Sequence, residues 1–464
     1  MGRLLHFLVY FWLVSLTCGD VENEINFTIG ALLSSAEATK HFNASVMNIR
    51  VRISGRTVSF SPLAELLASN ALKASRQLCS MFAAGKGRLF AVVVSSPPKF
   101  PTAPPLSISY VAALYGVPVI GVSTRQAVFS DKYAHATFLR TVPPYSLESQ
   151  VWVELISAFD WHEVVLIHSD NNQDAKALLA YLEHSQQAVD FKISQTITLN
   201  TDEEDAVSHK ELAARLEAIR SGQTRAILLF VTRRYSEHIF KVATRLGLLR
   251  REWAWIVSEQ CLGAQNLPSG VLSVRLALSD ELLHVDDAAR VATEGIISLT
   301  RRDPGAMFEL ESIKNCNQEI EIVERLPHNS NYSWLDYSSK LYESMTSVVF
   351  EDGATGHVQF DSRGDRVGSL YKVVNVQPQS NCRASRCEPN LVVVGKYGLV
   401  HTSDKQKAPR LTVDTQRIFW PGGYRLTKAV DVCVKTKPRT NECLEKAVKF
   451  LPPPSFKKKT HLKV

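Results

Sequence analysis

The 464-residue chain lacks the patterns that mark membrane-spanning and catalytic proteins. After Leu16, no apolar run approaches the roughly 18 residues that a membrane-spanning helix needs. There is no Gly-rich phosphate loop, no H-E-x-x-H and no G-x-S-x-G motif, and the 13 histidines are scattered along the chain. The sequence therefore predicts a chain without a transmembrane segment, a catalytic site, a cofactor or a metal site.

The amino-terminal residues have the order of a signal peptide. Arg3 precedes an apolar run from Leu4 to Leu16, which small residues and then Asp20 follow. We therefore expect residues 1–19 to be removed and the rest of the chain to enter an oxidising, extracellular compartment. Eight cysteines occur in all and one of them, Cys18, lies in this leader, so an odd number remains and at least one thiol should stay unpaired.

The net charge of +7 is concentrated at the carboxyl end. Residues 428–464 hold 10 Lys or Arg against 3 Asp or Glu, and the rest of the chain is balanced. We expect this basic tail to be mostly disordered and the folded body to present no basic face. Nucleic acid is therefore not an expected partner.

Apolar β-branched runs alternate with amphipathic stretches, which predicts an α/β fold with parallel-rich sheets. The clearest unit is a strand over Val164–His168 followed by a helix over Asp174–His184. A helical pattern is also expected over Leu63–Phe82, and long helices are expected over Val285–Thr300 and Trp334–Val348. The number of such units favours two Rossmann-like lobes that face one another across a cleft able to close by a hinge.

The mature chain is expected to consist of a bilobed domain, a linker and the basic tail. The bilobed domain is expected over residues 20–405, with lobe 1 at about 20–145 plus 280–350 and lobe 2 at about 146–279 plus 351–400. Residues 406–427 are expected to form an exit linker. Ligands of such sheets lie beyond the carboxyl ends of the strands, so a small ligand between the lobes is one hypothesis.

Several short motifs have a functional and a structural reading. Sequons at Asn26, Asn43 and Asn331 predict glycosylation, the last two in loops and the first at the start of a strand. The tripeptide Arg363–Asp365 is an adhesion motif of the Arg-Gly-Asp type, although ordinary turn formation explains it as well. His168 at a strand end is expected to be a hydrogen-bonded rim residue rather than a catalytic one.

The cysteines outside the leader leave several pairings open. Cys79 on a predicted helix could bridge to Cys316 in a polar segment, or could be a buried thiol. Cys382 and Cys387 are close enough in sequence to close a local clip. Cys261 looks solitary, and the two tail cysteines, Cys433 and Cys443, could pair with each other.

Sequence motifs also carry a family resemblance. The run Phe129–Lys132, the run Phe138–Ser146 and the segment Trp420–Gly423 are similar to the amino-terminal domain of the obligatory, glycine-binding subunit of NMDA-type ionotropic glutamate receptors. Further matches in the family's order are Ile29–Leu33, Val93–Pro98, Gly353–Gly356 and Gly364–Arg366. The resemblance covers residues 26 to 424, and the tail from Lys428 lies outside it.

The resemblance implies several properties of the chain. It implies a bilobed clamshell fold of the type I periplasmic-binding-protein kind, a disulfide between Cys79 and Cys316, and assembly as a dimer with other glutamate receptor subunits through the first lobe. Tyr110 matches an aromatic residue of that subunit interface, and Tyr133 takes the place of a small residue there. The family's agonist-binding and pore segments follow Trp-Pro-Gly-Gly and have no counterpart here, so neither activity is carried over.

Overall fold

The computed structural model describes residues 24–96, 103–169, 173–199, 209–317, 333–378, 390–401 and 407–423. The signal peptide, Asn331, Cys382, Cys387, Cys433, Cys443 and the basic tail lie outside these residues. The described chain divides into two compact units. The first unit ends at Pro144 and resumes over Leu278–Ser369, and the second comprises Tyr145–Ala277 and the residues from Leu370 onward.

Strands and helices alternate along both units. The strands are β1 (Glu24–Leu33), β2 (Arg50–Ile53), β3 (Arg56–Leu66), β4 (Leu89–Val94), β5 (Val119–Gly121), β6 (Phe138–Arg140), β7 (Glu163–Ser169), β8 (Lys192–Leu199), β9 (Ala226–Phe230), β10 (Ala254–Val257), β11 (Leu272–Leu276), β12 (Phe350–Gly353), β13 (Gly356–Val358), β14 (Tyr371–Gln377), β15 (Asn390–His401) and β16 (Lys407–Val413). The helices are α1 (Ala36–Met47), α2 (Ala71–Gly85), α3 (Ala103–Leu114), α4 (Glu148–Ala158), α5 (Gln173–Val189), α6 (His209–Ser221), α7 (Arg233–Leu246), α8 (Glu281–Arg302), α9 (Pro304–Glu309) and α10 (Trp334–Thr346).

A six-stranded sheet forms the core of the first unit. Its order is β2-β3-β1-β4-β5-β6, and every pairing except β2 with β3 is parallel. All residues of β4 are buried, as expected for a central parallel strand with both faces covered. Helix α8 packs against α1 and α10, and α2 packs against α3.

Strand β3 occupies residues where the sequence predicted the beginning of a helix. The prediction of helix from Leu63 was wrong, because this residue lies in the strand and α2 starts only at Ala71. Proline is tolerated at Pro62 since β2 pairs with β3 only as far as Ser59, which leaves one side of the strand without a neighbour in the described structure. The Asn70 side chain then caps α2, because its Oδ1 accepts hydrogen bonds from the backbone amides of Leu72 and Lys73.

An eight-stranded sheet forms the second unit, in the order β16-β15-β14-β11-β10-β9-β7-β8. Its β8-to-β11 half is parallel, and β14 to β16 continue it in antiparallel fashion. Successive residues of β7 and β9 alternate between two apolar clusters, so each face of the sheet has its own core. One core takes residues of α4 and α5, and the other takes residues of α6 and α7. The expected α/β fold with parallel-rich sheets is confirmed.

The carboxyl-terminal segment is part of the second unit, whereas the sequence predicted an exit linker at 406–427. Lys407–Val413 pairs with β15 along its whole length, and Ile418 and Trp420 are buried. The Trp420 ring lies edge-on to Phe159, with 5.5 Å between ring centroids. Burial of these two apolar side chains outweighs the Pro- and Lys-rich composition on which the linker prediction rested.

Residues 351–369 lie in the first unit, not in the second as the expected boundary at 350 placed them. The buried Arg366 guanidinium donates to the Thr141 carbonyl at 2.9 Å. The Asp287 carboxylate accepts the backbone amides of Ala354 at 2.7 Å and Thr355 at 3.1 Å. These buried charged groups need partners, and the partners they find belong to the first unit.

A disulfide joins Cys79 on α2 to Cys316, with 5.4 Å between the two Cα atoms. Both cysteines belong to the first unit, and the chain between them contains residues 145–277 of the second. Cys261 is a buried free thiol whose pKa is raised to about 12, chiefly by burial. Among the described residues, no helix is both long and apolar enough to cross a membrane.

Candidate functional site

Helix α3 presents an uncharged surface to solvent. Its sequence, APPLSISYVAAL, contains no charged residue, yet Tyr110 is 50% exposed and Leu114 is 51% exposed. The Ser107 hydroxyl donates to the Ala71 carbonyl at 2.9 Å, which places the 61% exposed Leu72 beside the helix. We call the surface formed by the exposed Leu72, Tyr110 and Leu114, together with the half-buried Leu106, the α3 face. Contiguous exposed apolar residues of this kind mark interaction sites.

A buried histidine supports the α3 face from below. The Tyr110 ring lies over the His135 imidazole with 4.8 Å between ring centroids, and Phe129 contacts the same imidazole at 5.1 Å. His135 Nδ1 is 2.8 Å from the Ser109 hydroxyl. Burial, and next the nearby Lys132 ammonium, lowers the pKa of His135 to about 4. The imidazole is therefore neutral at physiological pH, and it holds Tyr110 in a defined position.

The two predicted interface tyrosines differ in their support. Tyr133 is fully exposed in a turn in which its backbone amide donates to the Asp131 carboxylate at 3.0 Å. Tyr110, by contrast, rests on His135. Rigid aromatic side chains lose little conformational entropy on binding, so Tyr110 is the better anchor of the two. Sequence reasoning did not single out His135, because nothing in its neighbours marks it as buried.

The described sequons lie on regular elements. Asn26 is exposed on β1, and its amide donates to the Ser61 hydroxyl at 2.6 Å. Asn43 is half-buried on α1, so the expectation that it lies in a loop was wrong. The helix extends through this sequon because Phe42 and Val46 pack on the core at helical spacing. Glycosylation at either position stays a prediction.

The Arg-Gly-Asp motif is not available for adhesion. The Asp365 side chain is 2% exposed, and its carboxylate accepts from Arg140 Nε at 2.7 Å and from the Ser130 hydroxyl at 2.6 Å. Gly364 accepts the Arg140 backbone amide at 3.0 Å. An adhesion receptor needs the aspartate carboxylate at the surface, so the adhesion hypothesis was wrong and the structural reading holds.

Polar side chains gather at the carboxyl edge of the first unit's sheet. Ser34 follows β1 and Ser95 follows β4, and both hydroxyls donate to the carboxylate of Glu281, the first residue of α8. The Ser34 contacts measure 2.9 and 2.8 Å. Ligands of open α/β sheets bind at this edge, so the group is a candidate half-site for a small polar ligand.

His168 has the hydrogen-bonded environment expected of a structural residue. It is buried near the end of β7, with Nδ1 2.9 Å from the Ser169 carbonyl and Nε2 3.4 Å from the Thr198 hydroxyl. The described residues contain no cluster of His, Cys, Asp and Glu able to hold a metal ion. Nothing in this part of the molecule assigns the chain a catalytic role.

Charge is not evenly spread over the second unit, contrary to the expectation that the folded body has no basic face. Arg234, His238, Lys241 and Arg245 are all exposed on α7. Their spacing of four, seven and eleven residues aligns them on one side of the helix. We call these four residues the basic ridge. The sequence-based expectation rested on the total charge of residues 1–427, which is balanced and does not show how charge is distributed over the surface.

These features define a class: a two-unit α/β protein of the periplasmic-binding-protein type, with polar strand ends and an uncharged helix face. The family model described as "Receptor family ligand binding region" matches residues 71–308, so the chain belongs to this family, which is not an enzyme family. The chain is 29% identical over 411 residues to "Glutamate [NMDA] receptor subunit 1" of Drosophila ananassae and, equally, of Drosophila melanogaster.

Each alignment covers 87% of this chain and 38% of the relative. The chain thus spans less than two fifths of the length of these receptor subunits. The resemblance to an NMDA-type receptor amino-terminal domain is confirmed.

Proposed function

We propose that the chain is an extracellular amino-terminal module of an NMDA-type glutamate receptor subunit that acts in subunit assembly and allosteric modulation. The observation that carries this proposal is the α3 face. A surface helix normally has charged residues on its solvent side, and α3 has none. The partner is the amino-terminal domain of another receptor subunit, and the chain pairs with it as a dimer.

The α3 face has the composition of an interface centre. Tyrosine and leucine stand at adjacent turns, and charged side chains are absent from the helix. A stable interface needs about 800 Å² per partner, so neighbouring surfaces must contribute besides the helix. Tyr110, supported by His135, supplies the rigid aromatic anchor.

The experiment replaces Tyr110→Arg together with Leu114→Arg and measures association with a purified NMDA-type amino-terminal domain by sedimentation velocity. Two buried cations at an interface should reduce association at least tenfold. Tyr181→Arg is the matched control, because Tyr181 is an exposed helical tyrosine of the second unit. Equal loss in the control variant, or no association of the unaltered chain with any such domain, removes the proposal.

Modulation requires that pairing changes the behaviour of a channel. Co-expression of the chain with full-length NMDA-type subunits should alter the surface level or the current of those channels. The Tyr110→Arg, Leu114→Arg variant should have no such effect. If the unaltered chain changes neither the current nor the surface level, the modulation part of the proposal is wrong and only subunit assembly remains.

A second candidate is a soluble receptor for a small polar ligand. The Glu281 carboxylate with the Ser34 and Ser95 hydroxyls favours it, since this group matches an ammonium or hydroxyl donor. A panel of free amino acids and amines tests it by thermal shift, because a ligand that binds only the folded state raises Tm. Glu281→Gln should abolish any shift, and a shift that survives this change places the ligand elsewhere.

A further inference from the structure

We propose that Arg76 on α2 makes the α3 face selective for a partner that carries a carboxylate beside its own apolar contact surface. The same charge disfavours pairing of the chain with a second copy of itself through this face. The inference rests on the proposed pairing of receptor subunits and adds the chemistry that the partner must supply. The apolar residues provide contact area, and Arg76 determines which partner is accepted.

Arg76 lies beside the α3 face. It follows the exposed Leu72 by four residues, so the two side chains lie on the same side of α2, about 6 Å apart along the helix axis. Leu72 is next to α3, because the Ser107 hydroxyl of α3 donates to the Ala71 carbonyl at 2.9 Å. A partner that covers Leu72 and Tyr110 therefore also reaches Arg76.

The Arg76 guanidinium is not neutralised by an ion pair in the described part of the chain. It is exposed, and no carboxylate among the described residues pairs with it or with the equally exposed Lys73. These are the only two charged residues of α2, and α3 has none. Like charges three residues apart on a helix repel each other, so helix stability does not account for the pair.

Carboxylates near the two helices have other partners. The Glu65 carboxylate, at the end of β3, accepts from Gln77 Nε2 at 3.4 Å. The Asp131 carboxylate accepts the Tyr133 backbone amide at 3.0 Å. A carboxylate that pairs with Arg76 must therefore come from the molecule that covers the α3 face.

A second copy of the chain cannot supply this carboxylate from the same helices. A two-fold pair places the same surface patch on both sides of the interface. Two copies bring four cations from α2 and no Asp or Glu from α2 or α3. Like charges across an interface lower the affinity, whereas opposite charges select the partner. The surface therefore favours a different chain whose first-unit helices carry Asp or Glu next to an apolar centre.

The test measures association of the full chain with purified NMDA-type amino-terminal domains by sedimentation velocity, at low and at high salt. Arg76→Glu reverses the charge and should weaken association about tenfold or more, with the larger loss at low salt. Arg76→Lys keeps the charge and should weaken association less than about threefold. Arg302→Glu is the matched control, because Arg302 is an exposed helical arginine of the first unit without an ion pair among the described residues.

Charge exchange then identifies the carboxylate of the partner. Each Asp and Glu on the first-unit helices of the partner domain is changed to Arg in turn, and each variant is measured with Arg76→Glu and with the unaltered chain. One such change should restore the affinity that Arg76→Glu loses, and the same change should weaken binding to the unaltered chain.

The outcomes separate this inference from the proposed function. If Tyr110→Arg with Leu114→Arg abolishes association and Arg76→Glu leaves it unchanged, the α3 face is an interface and the inference about Arg76 is overturned. Equal weakening by Arg302→Glu, failure of every charge exchange to restore affinity, or self-association of the unaltered chain through the α3 face overturns it as well. Absence of association with every domain overturns the proposed function and this inference together. An unchanged Tm in Arg76→Glu shows that the fold is intact.

Discussion

Removal of the disulfide between Cys79 and Cys316 should weaken the first unit far more than the second. The proposed change is Cys79→Ser with Cys316→Ser. The bond closes a loop with a sequence separation of 237 residues. Chain-entropy reasoning for a loop of that length gives about 5.5 kcal/mol of stabilisation.

Folding of the second unit hardly changes this magnitude. Residues 145–277 lie inside the loop, and treating them as already folded leaves roughly 100 flexible residues and about 4.7 kcal/mol. With a urea m-value of about 2 to 3 kcal/mol/M, the midpoint of the first unit should fall by about 2 M.

Trp334 gives a specific readout for this experiment. It is the one tryptophan of the first unit within the described residues, and its indole donates to the Tyr115 carbonyl at 2.8 Å. The Tyr115 hydroxyl in turn donates to the Cys316 carbonyl at 2.8 Å, so the probe lies next to the bond. The difference between the fluorescence of the chain and of its Trp334→Phe variant isolates the first unit.

The control is Cys261→Ala, which removes a buried thiol that is not part of a disulfide and should lower the free energy of unfolding by no more than about 1 kcal/mol. The reasoning is refuted if the double serine variant loses less than about 1 kcal/mol, or if both units lose the same amount.

Three further predictions concern buried polar groups. Asp365→Ala should destabilise the first unit by about 3 to 5 kcal/mol in urea unfolding, because it leaves the buried Arg140 guanidinium without its carboxylate; a loss below about 1 kcal/mol would contradict this. Asn375→Ala should cost about 3 kcal/mol and make residues 414–423 protease-sensitive, since the Asn375 amide bonds the Val271 and Phe419 carbonyls and the Phe419 amide; unchanged proteolysis would count against it. Burial lowers the pKa of His284 to about 4, so the unfolded chain takes up this proton near pH 6.5 and the folded chain does not. His284 alone should therefore lower the free energy of unfolding by up to about 3 kcal/mol between pH 6.5 and 4, and His284→Gln, but not the exposed control His184→Gln, should remove this contribution.

Periodicity predicted those parts of the fold in which burial follows a single pattern. The alternating β7 and the one-sided helix after it were predicted because both faces of the sheet are covered by apolar residues. Strand β3 was missed because Pro62 and Ala64 interrupt a strand pattern, and the unpaired side that tolerates proline is a property of the assembled sheet. The segment after the last strand was predicted as a linker because Trp420 packs against Phe159, which lies far away in sequence.

The candidate surfaces could be predicted from the sequence to different degrees. The lack of charge in α3 is visible in the sequence, but whether its apolar residues face the core or solvent depends on α2 beside it. The basic ridge left a clear signal in the spacing of Arg234, Lys241 and Arg245, which a count of total charge does not detect. The burial of Asp365 could not be predicted, since its partner Arg140 lies 225 residues away.

Cysteine crosslinking tests the role of the α3 face most directly. Tyr110→Cys is introduced, the chain is co-expressed with an NMDA-type subunit carrying cysteines along its own first-unit helices, and products are separated without reductant. A reductant-sensitive band containing both chains is expected for Tyr110→Cys and not for Tyr181→Cys. Equal crosslinking from both positions, or from neither, would contradict subunit pairing through this helix.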